Sequence, residues 1–209
     1  MRRSNVESLI YNDFVTEYDA QAFAGLLITD NKMNTEQKRY LNAMAVSLLG
    51  RDTENIAKFV KNFRFDHDNP EHFAVEIHPY ADLPRRVWDA QAQTLFPLIM
   101  RECREFIDKW IDRLEDAFIY ANKVLPDGLL DTRNQPVETP DEMELAQIYY
   151  LMNRKRRESD GNDSENYMLY IPDENARSRL KLLYNMRNVI AHGKVCAVED
   201  VARLLSLAH

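Results

Sequence analysis

The chain has 209 residues, 45% of them hydrophobic, 10% aromatic and 29% charged, with a net charge of -7. Such a composition supports one substantial core in one domain, contains no apolar run near the roughly 20 residues that cross a bilayer, and excludes a protein that coats nucleic acid non-specifically. The charge is uneven: ten Lys and Arg against eight Asp and Glu from Leu151 to His209, but 17 against 26 before it, so a polyanion is expected at the carboxyl-terminal part.

The amino-terminal MRRSNVESLIYNDF carries two arginines but meets polar residues before a long apolar stretch develops, so it does not read as a secretion signal and a cytoplasmic protein without membrane association is expected. Cys103 and Cys196 are far apart and form no CxxC or metal spacing, which points to buried reduced thiols. Only five glycines occur, strand-type alternation is scarce, and apolar residues recur at spacings of three and four, so the fold class is all-α.

TEQKRYLNAMAVSLLG predicts a helix with Thr35 as its cap, Tyr40, Leu41, Met44 and Leu48 on one side, and a stop at Gly50. A shorter helix follows at about Thr53 to Phe63. FDHDNPEHFAVEIHPYADLP then loses the helical period, predicting a loop with at most a short extended piece from Phe73 to Ile77. Asp66, His67, Asp68, His72 and His78 crowd this loop, but their spacing fits no zinc pattern, and a solvated polar loop is the expectation over a metal site.

The longest helical signal is RRVWDAQAQTLFPLIMRECREFIDKWIDRLEDAFIYANKVLPDG, which Pro97 is expected to kink or divide. Its stripe of Ile107, Trp110, Ile111, Leu114 and Phe118 suits core packing or a dimer seam. TPDEMELAQIYYLMNRKRR restarts a helix with Thr139 as cap and acidic residues in the first turn. The segment near 153–166 has no apolar side chain and is expected to be mobile and solvated; within it Arg154, Lys155, Arg156 and Arg157 either touch phosphates or form the charged end of a helix.

PDENARSRLKLLYNMRNVIAHG encodes the last long helix, starting at Pro172 and Asp173 and stopping at Gly193. At about 100° per residue, Ala176, Leu180, Leu183, Ile190 and Ala191 cluster on one face with Arg187 near its middle. A guanidinium does not deprotonate in a protein, so it needs a buried partner or a wet cleft. Asn188 and His192, four residues apart, share a more polar side with Lys181 and Asn185.

Arg187, Asn188, three intervening residues and His192, closing a late helix and followed by Gly193, resemble the signature of the HEPN superfamily, which reads Arg, a polar residue, three or four others, His. The likeness covers one helix and its cap. It implies a HEPN-like helical bundle, here with extra N-terminal helices, acting as an endoribonuclease that requires no metal or other cofactor, in a toxin–antitoxin or antiviral defence setting.

It also implies a homodimer whose two motifs line one RNA cleft, with an antitoxin or regulatory partner as a further possibility of that setting. His192 would transfer the proton, Arg187 stabilise charge on the phosphoryl group, and Asn188 orient the imidazole or the phosphate. Lys181, Lys194 and the basic run Arg154 to Arg157 would bind RNA.

The competing expectations are that Arg187 pairs with a buried carboxylate, Asn188 is a surface residue and His192 caps the last turn, or that the domain is a non-catalytic helical binding and dimerisation module. No GxGxxG or Walker loop and no GxSxG elbow occurs.

Overall fold

The computed structural model describes residues 17–28, 32–62, 82–131, 133–156 and 167–206, with side chains from Ala20 onward. Among these residues there are seven α-helices: α1 Glu17–Leu27, α2 Thr35–Leu49, α3 Thr53–Asn62, α4 Leu83–Val124, α5 Leu145–Asn153, α6 Glu174–Ala191 and α7 Val198–Ser206. Among the described residues one 3-10 turn spans Pro140–Glu142, and extended pairing is confined to two isolated bridges, Leu130 with Pro136 and Lys155 with Tyr167. The fold is all-α. No described helix is long and apolar enough to cross a membrane.

The chain forms two compact units, residues 1–97 with 188–209, and residues 98–187. Helices α4 and α6 each run through the division, so the helical period carries on from one unit into the other.

In the first unit α1, α2 and α3 pack on one another and α7 packs on α2. Phe23, Tyr40, Leu41, Met44, Leu48, Ile56 and Phe59 fill the centre, each no more than 2% exposed. The cap of α2 is Asn34, one residue before the expected Thr35. Its Oδ1 accepts the Gln37 N–H at 2.8 Å while Gln37 Oε1 accepts the Asn34 N–H at 2.9 Å, a reciprocal capping box. Asn34 Nδ2 also donates to the Leu205 carbonyl at 2.6 Å, tying the start of α2 to the end of α7. Gly50 ends α2 at φ 60° as expected.

The second unit buries Leu98, Ile99, Ile107 and Leu114 from α4, Ile148 and Leu151 from α5, and Leu180 and Leu183 from α6. Pro97 does not divide α4. It lies on the exposed side, as does Gln93, whose carbonyl loses its helical donor and can be solvated. The backbone instead departs from helical geometry at Trp110, with φ -115° and ψ 19°. Of the predicted apolar stripe, Ile107 and Leu114 are buried while Trp110, Ile111 and Phe118 are only half-buried. Thr139 caps the 3-10 turn rather than an α-helix; α5 begins after Glu144, whose N–H donates to Gln147 Oε1 at 2.9 Å. The histidine-containing loop, with the extended piece proposed for Phe73 to Ile77, lies outside the described residues, as does Arg157.

Candidate active site

The motif sits on α6, whose beginning and end are both closed by side chains and turns of identifiable chemistry. Asp173 Oδ1 accepts the Ala176 N–H at 3.0 Å, and this bond, with Lys109 at 3.7 Å, holds the Asp173 carboxyl below the usual carboxylate range. At the other end Gly193 adopts φ 69°, its N–H donates to the Ile190 carbonyl and the Lys194 N–H donates to the Val189 carbonyl, both at 3.0 Å. This pair of bonds is a Schellman closure, which makes His192 the cap residue just after the last helical residue, Ala191, where the chain reverses. The Ile190 carbonyl is also reached by Trp88 Nε1 at 2.8 Å, so the closure is anchored to α4 within the first unit.

The segment after the glycine is held by a second anchor. Gln91, 1% exposed, accepts the Cys196 N–H at 2.7 Å and donates through Nε2 towards the Cys196 carbonyl and the Tyr40 hydroxyl, both at 3.3 Å. One amide thus pairs with the backbone of Cys196 as a neighbouring strand would. Burial, with a smaller contribution from Asp200, pushes the Cys196 thiol up to about 12, and burial likewise raises the Tyr40 phenol despite its bond to Gln91. His192 and Lys194 stand exposed on the turn between these anchors.

In the second unit, Arg187 is not at the middle of the buried face of α6. Leu180, Leu183 and Ile190 are buried as expected, but Leu182 and Met186 join them while Ala176 is half-buried and Ala191 exposed. These gains and losses together swing the centre of the buried face by about 50° at 100° per residue and leave Arg187 on its edge. Its side chain keeps 29% exposure and meets Glu144, itself 47% exposed, at 3.7 Å. This pair with Glu144 is long and open to water. Asn188 is half-buried.

The remaining basic residues do not gather around the motif as one patch. The Arg154 guanidinium contacts the Tyr150 hydroxyl and lies 5.1 Å from the centre of that ring, beside an apolar cavity of about 510 Å³ bounded by residues 125–131. Arg156 lies 4.7 Å from the centre of the Tyr120 ring and donates to the Met168 carbonyl at 3.3 Å, while Lys155 forms the bridge to Tyr167. These contacts give Arg154 and Arg156 structural work in addition to any phosphate contact. Lys181 is exposed and borders a different cavity.

That second cavity holds residues the sequence reading passed over. It measures about 430 Å³ and is lined by Tyr149, Tyr167 and Tyr170 together with Arg177, Ser178 and Lys181. The sequence signal was present in YMLYIPDE, where two tyrosines flank apolar residues immediately before a helix, but an unstructured pair of aromatics has no period to reveal it. Tyr149 stacks on Tyr184 with ring centres 4.1 Å apart and planes 9° apart, joining α5 to α6. No protein-family model, curated protein or solved structure matches the chain.

Proposed function

We propose that the protein is an endoribonuclease of the HEPN type, acting as a homodimer with a composite site. The observation that carries this reading is the Arg187-Asn188-(three residues)-His192 motif at the closed end of α6, with an exposed histidine at the cap position just after Ala191 and a guanidinium that retains access to water.

In this reading one His192 takes the proton of a ribose 2′-hydroxyl as its oxygen attacks phosphorus, and His192 of the partner subunit gives a proton to the departing 5′-oxygen. The P–O2′ bond forms, the P–O5′ bond breaks, and the products are a 2′,3′-cyclic phosphate and a 5′-hydroxyl. Arg187 exchanges its long contact with Glu144 for the phosphoryl oxygens, whose charge grows in the transition state. Asn188 orients the imidazole or the phosphate through its amide. A toxin or defence role, under an antitoxin or regulatory partner, is the setting such an activity fits.

The test is incubation with mixed single-stranded RNA in EDTA. Wild type should release fragments with cyclic-phosphate ends, and Arg187→Ala or His192→Ala should each reduce the rate by at least about a hundredfold, the lower range for loss of a proton-transfer group or a charge stabiliser. Cleavage abolished by chelation, or unchanged by His192→Ala, refutes the mechanism.

The Arg187–Glu144 pair favours a second reading, a non-catalytic helical binding or dimerisation module in which Arg187 is structural. Partner binding that survives His192→Ala, with no RNA cleavage by wild type, would select it.

A further inference from the structure

The tyrosine-lined cavity of the second unit combines three properties that a recognition site for an unpaired nucleotide requires. First, it is rigidly built. The loop from Tyr167 to Ile171 buries Met168, Leu169 and Ile171, each no more than 2% exposed, and its Met168 and Leu169 N–H groups donate to the Arg154 and Leu151 carbonyls at 2.7 and 3.0 Å. Behind it, Arg113 donates to the Tyr170 carbonyl at 3.3 Å and Arg156 to the Met168 carbonyl. Anchoring of this kind leaves Tyr167 and Tyr170 half-exposed on a fixed backbone, so little ordering entropy opposes a ligand.

Second, the lining charge has one sign. Arg177 and Lys181 contribute two cations and no carboxylate lines the cavity, although the chain as a whole is acidic. Arg177 donates to the Ile171 carbonyl, which fixes its guanidinium at the rim, and Lys181 makes no ion pair among the described residues. Third, polar groups are available: the Tyr149, Tyr167 and Tyr170 hydroxyls and the Ser178 hydroxyl make no side-chain hydrogen bond among the described residues. The volume of about 430 Å³ lies in the range of sites that enclose a small ligand. Flat π faces beside phosphate-seeking cations are the combination by which proteins hold single strands, and a duplex, whose bases are already stacked, cannot offer a base to them.

We propose that this cavity is a binding subsite for single-stranded RNA, in which one unpaired base lies against the tyrosines and an adjoining phosphate is taken by Lys181 and Arg177. The RNA assignment rests on the ribonuclease reading above; the binding surface itself stands on the geometry of the second unit alone.

The experiment is fluorescence anisotropy with a labelled single-stranded RNA of about twelve nucleotides, within the span one single-strand-binding domain covers. It is run in EDTA on the His192→Ala background so that binding is read without cleavage. Lys181→Glu and Tyr167→Ala should each weaken binding about tenfold or more, the scale of losing one stacked base or one phosphate contact, whereas Lys123→Glu, the same charge change outside the cavity, should not. A duplex of the same sequence should compete poorly. Lys181→Glu alters an exposed side chain, so the question survives if Tyr167→Ala does not fold. Absence of RNA binding, equal binding by Lys181→Glu, or equal competition by duplex each overturns the proposal. RNA held through the cavity by a protein that never cuts it supports the subsite while refuting the nuclease.

Discussion

Replacing Gln91 by leucine should release the segment that follows the motif without unfolding the rest of the molecule. Gln91 is buried at 1% exposure and supplies three bonds, one of 2.7 Å from the Cys196 N–H and two of 3.3 Å through its own Nε2. Losing the short bond to a buried backbone donor costs about 1–3 kcal/mol, and the two longer ones about 0.5 kcal/mol each, which together come to about 3 kcal/mol, equivalent to about a 150-fold change in a local opening equilibrium. Leucine adds apolar contact but supplies nothing to the backbone of Cys196.

Cys196 is itself the reporter of this change, because its thiol is buried and reacts only when that segment opens. Native-state alkylation followed by mass spectrometry should show Cys196 modified about two orders of magnitude faster in Gln91→Leu, with Cys103, in the other unit, as internal reference. A Cys196 rate within about twofold of wild type, or equal acceleration at Cys103, would show that Gln91 does not hold this segment, or that its loss acts on the whole fold.

Arg179 and Glu102 form a two-pronged pair at 2.7 and 2.6 Å with side chains 16% and 14% exposed, so Arg179→Met alone should destabilise the second unit by about 3 kcal/mol in urea unfolding. The double variant Arg179→Met with Glu102→Leu should recover most of that loss, and no recovery would mean that packing rather than charge pairing is at stake. Gly193→Ala should cost about 1 kcal/mol in thermal unfolding because φ 69° strains a Cβ-bearing residue, and Gly193→Asn should cost less. Burial pushes Cys103 up to about 11 and Cys196 up to about 12, from an ordinary value of 9.0. The folded state holds the neutral thiols, so their contribution is complete below about pH 9 and is lost as pH rises through about 11–12. Unfolding free energies measured across that window should fall, and replacing both cysteines by alanine should flatten part of the slope; an unchanged slope would place the alkaline sensitivity elsewhere.

Several features were legible because they depend on neighbours along the chain. Gly50 and Gly193 ended helices where only a residue without Cβ takes the left-handed turn at low cost, and Asp173 began α6 because a carboxylate next to free N–H groups needs no distant partner. Thr35 was the wrong cap by one residue because Asn34 and Thr35 are both capping residues, and the choice fell to the one that also reaches Leu205. Pro97 does not divide α4, and its lost hydrogen bond falls on the exposed Gln93 side, where water can take the freed carbonyl, an outcome that depends on the third dimension.

The sequence alone determined the helical class, the order of most elements and the placement of Arg187, Asn188 and His192 on one closing helix, because hydrophobic spacing and capping chemistry act within a few residues. Only the tertiary structure decided that Arg187 lies at the edge of its buried face against Glu144, that Gln91 clamps Cys196, and that tyrosines from α5 and the 167–171 loop meet two cations of α6 around one cavity. Those outcomes depend on contacts across tens to over a hundred residues, where side-chain volume and loop path set the geometry and no local periodicity records it.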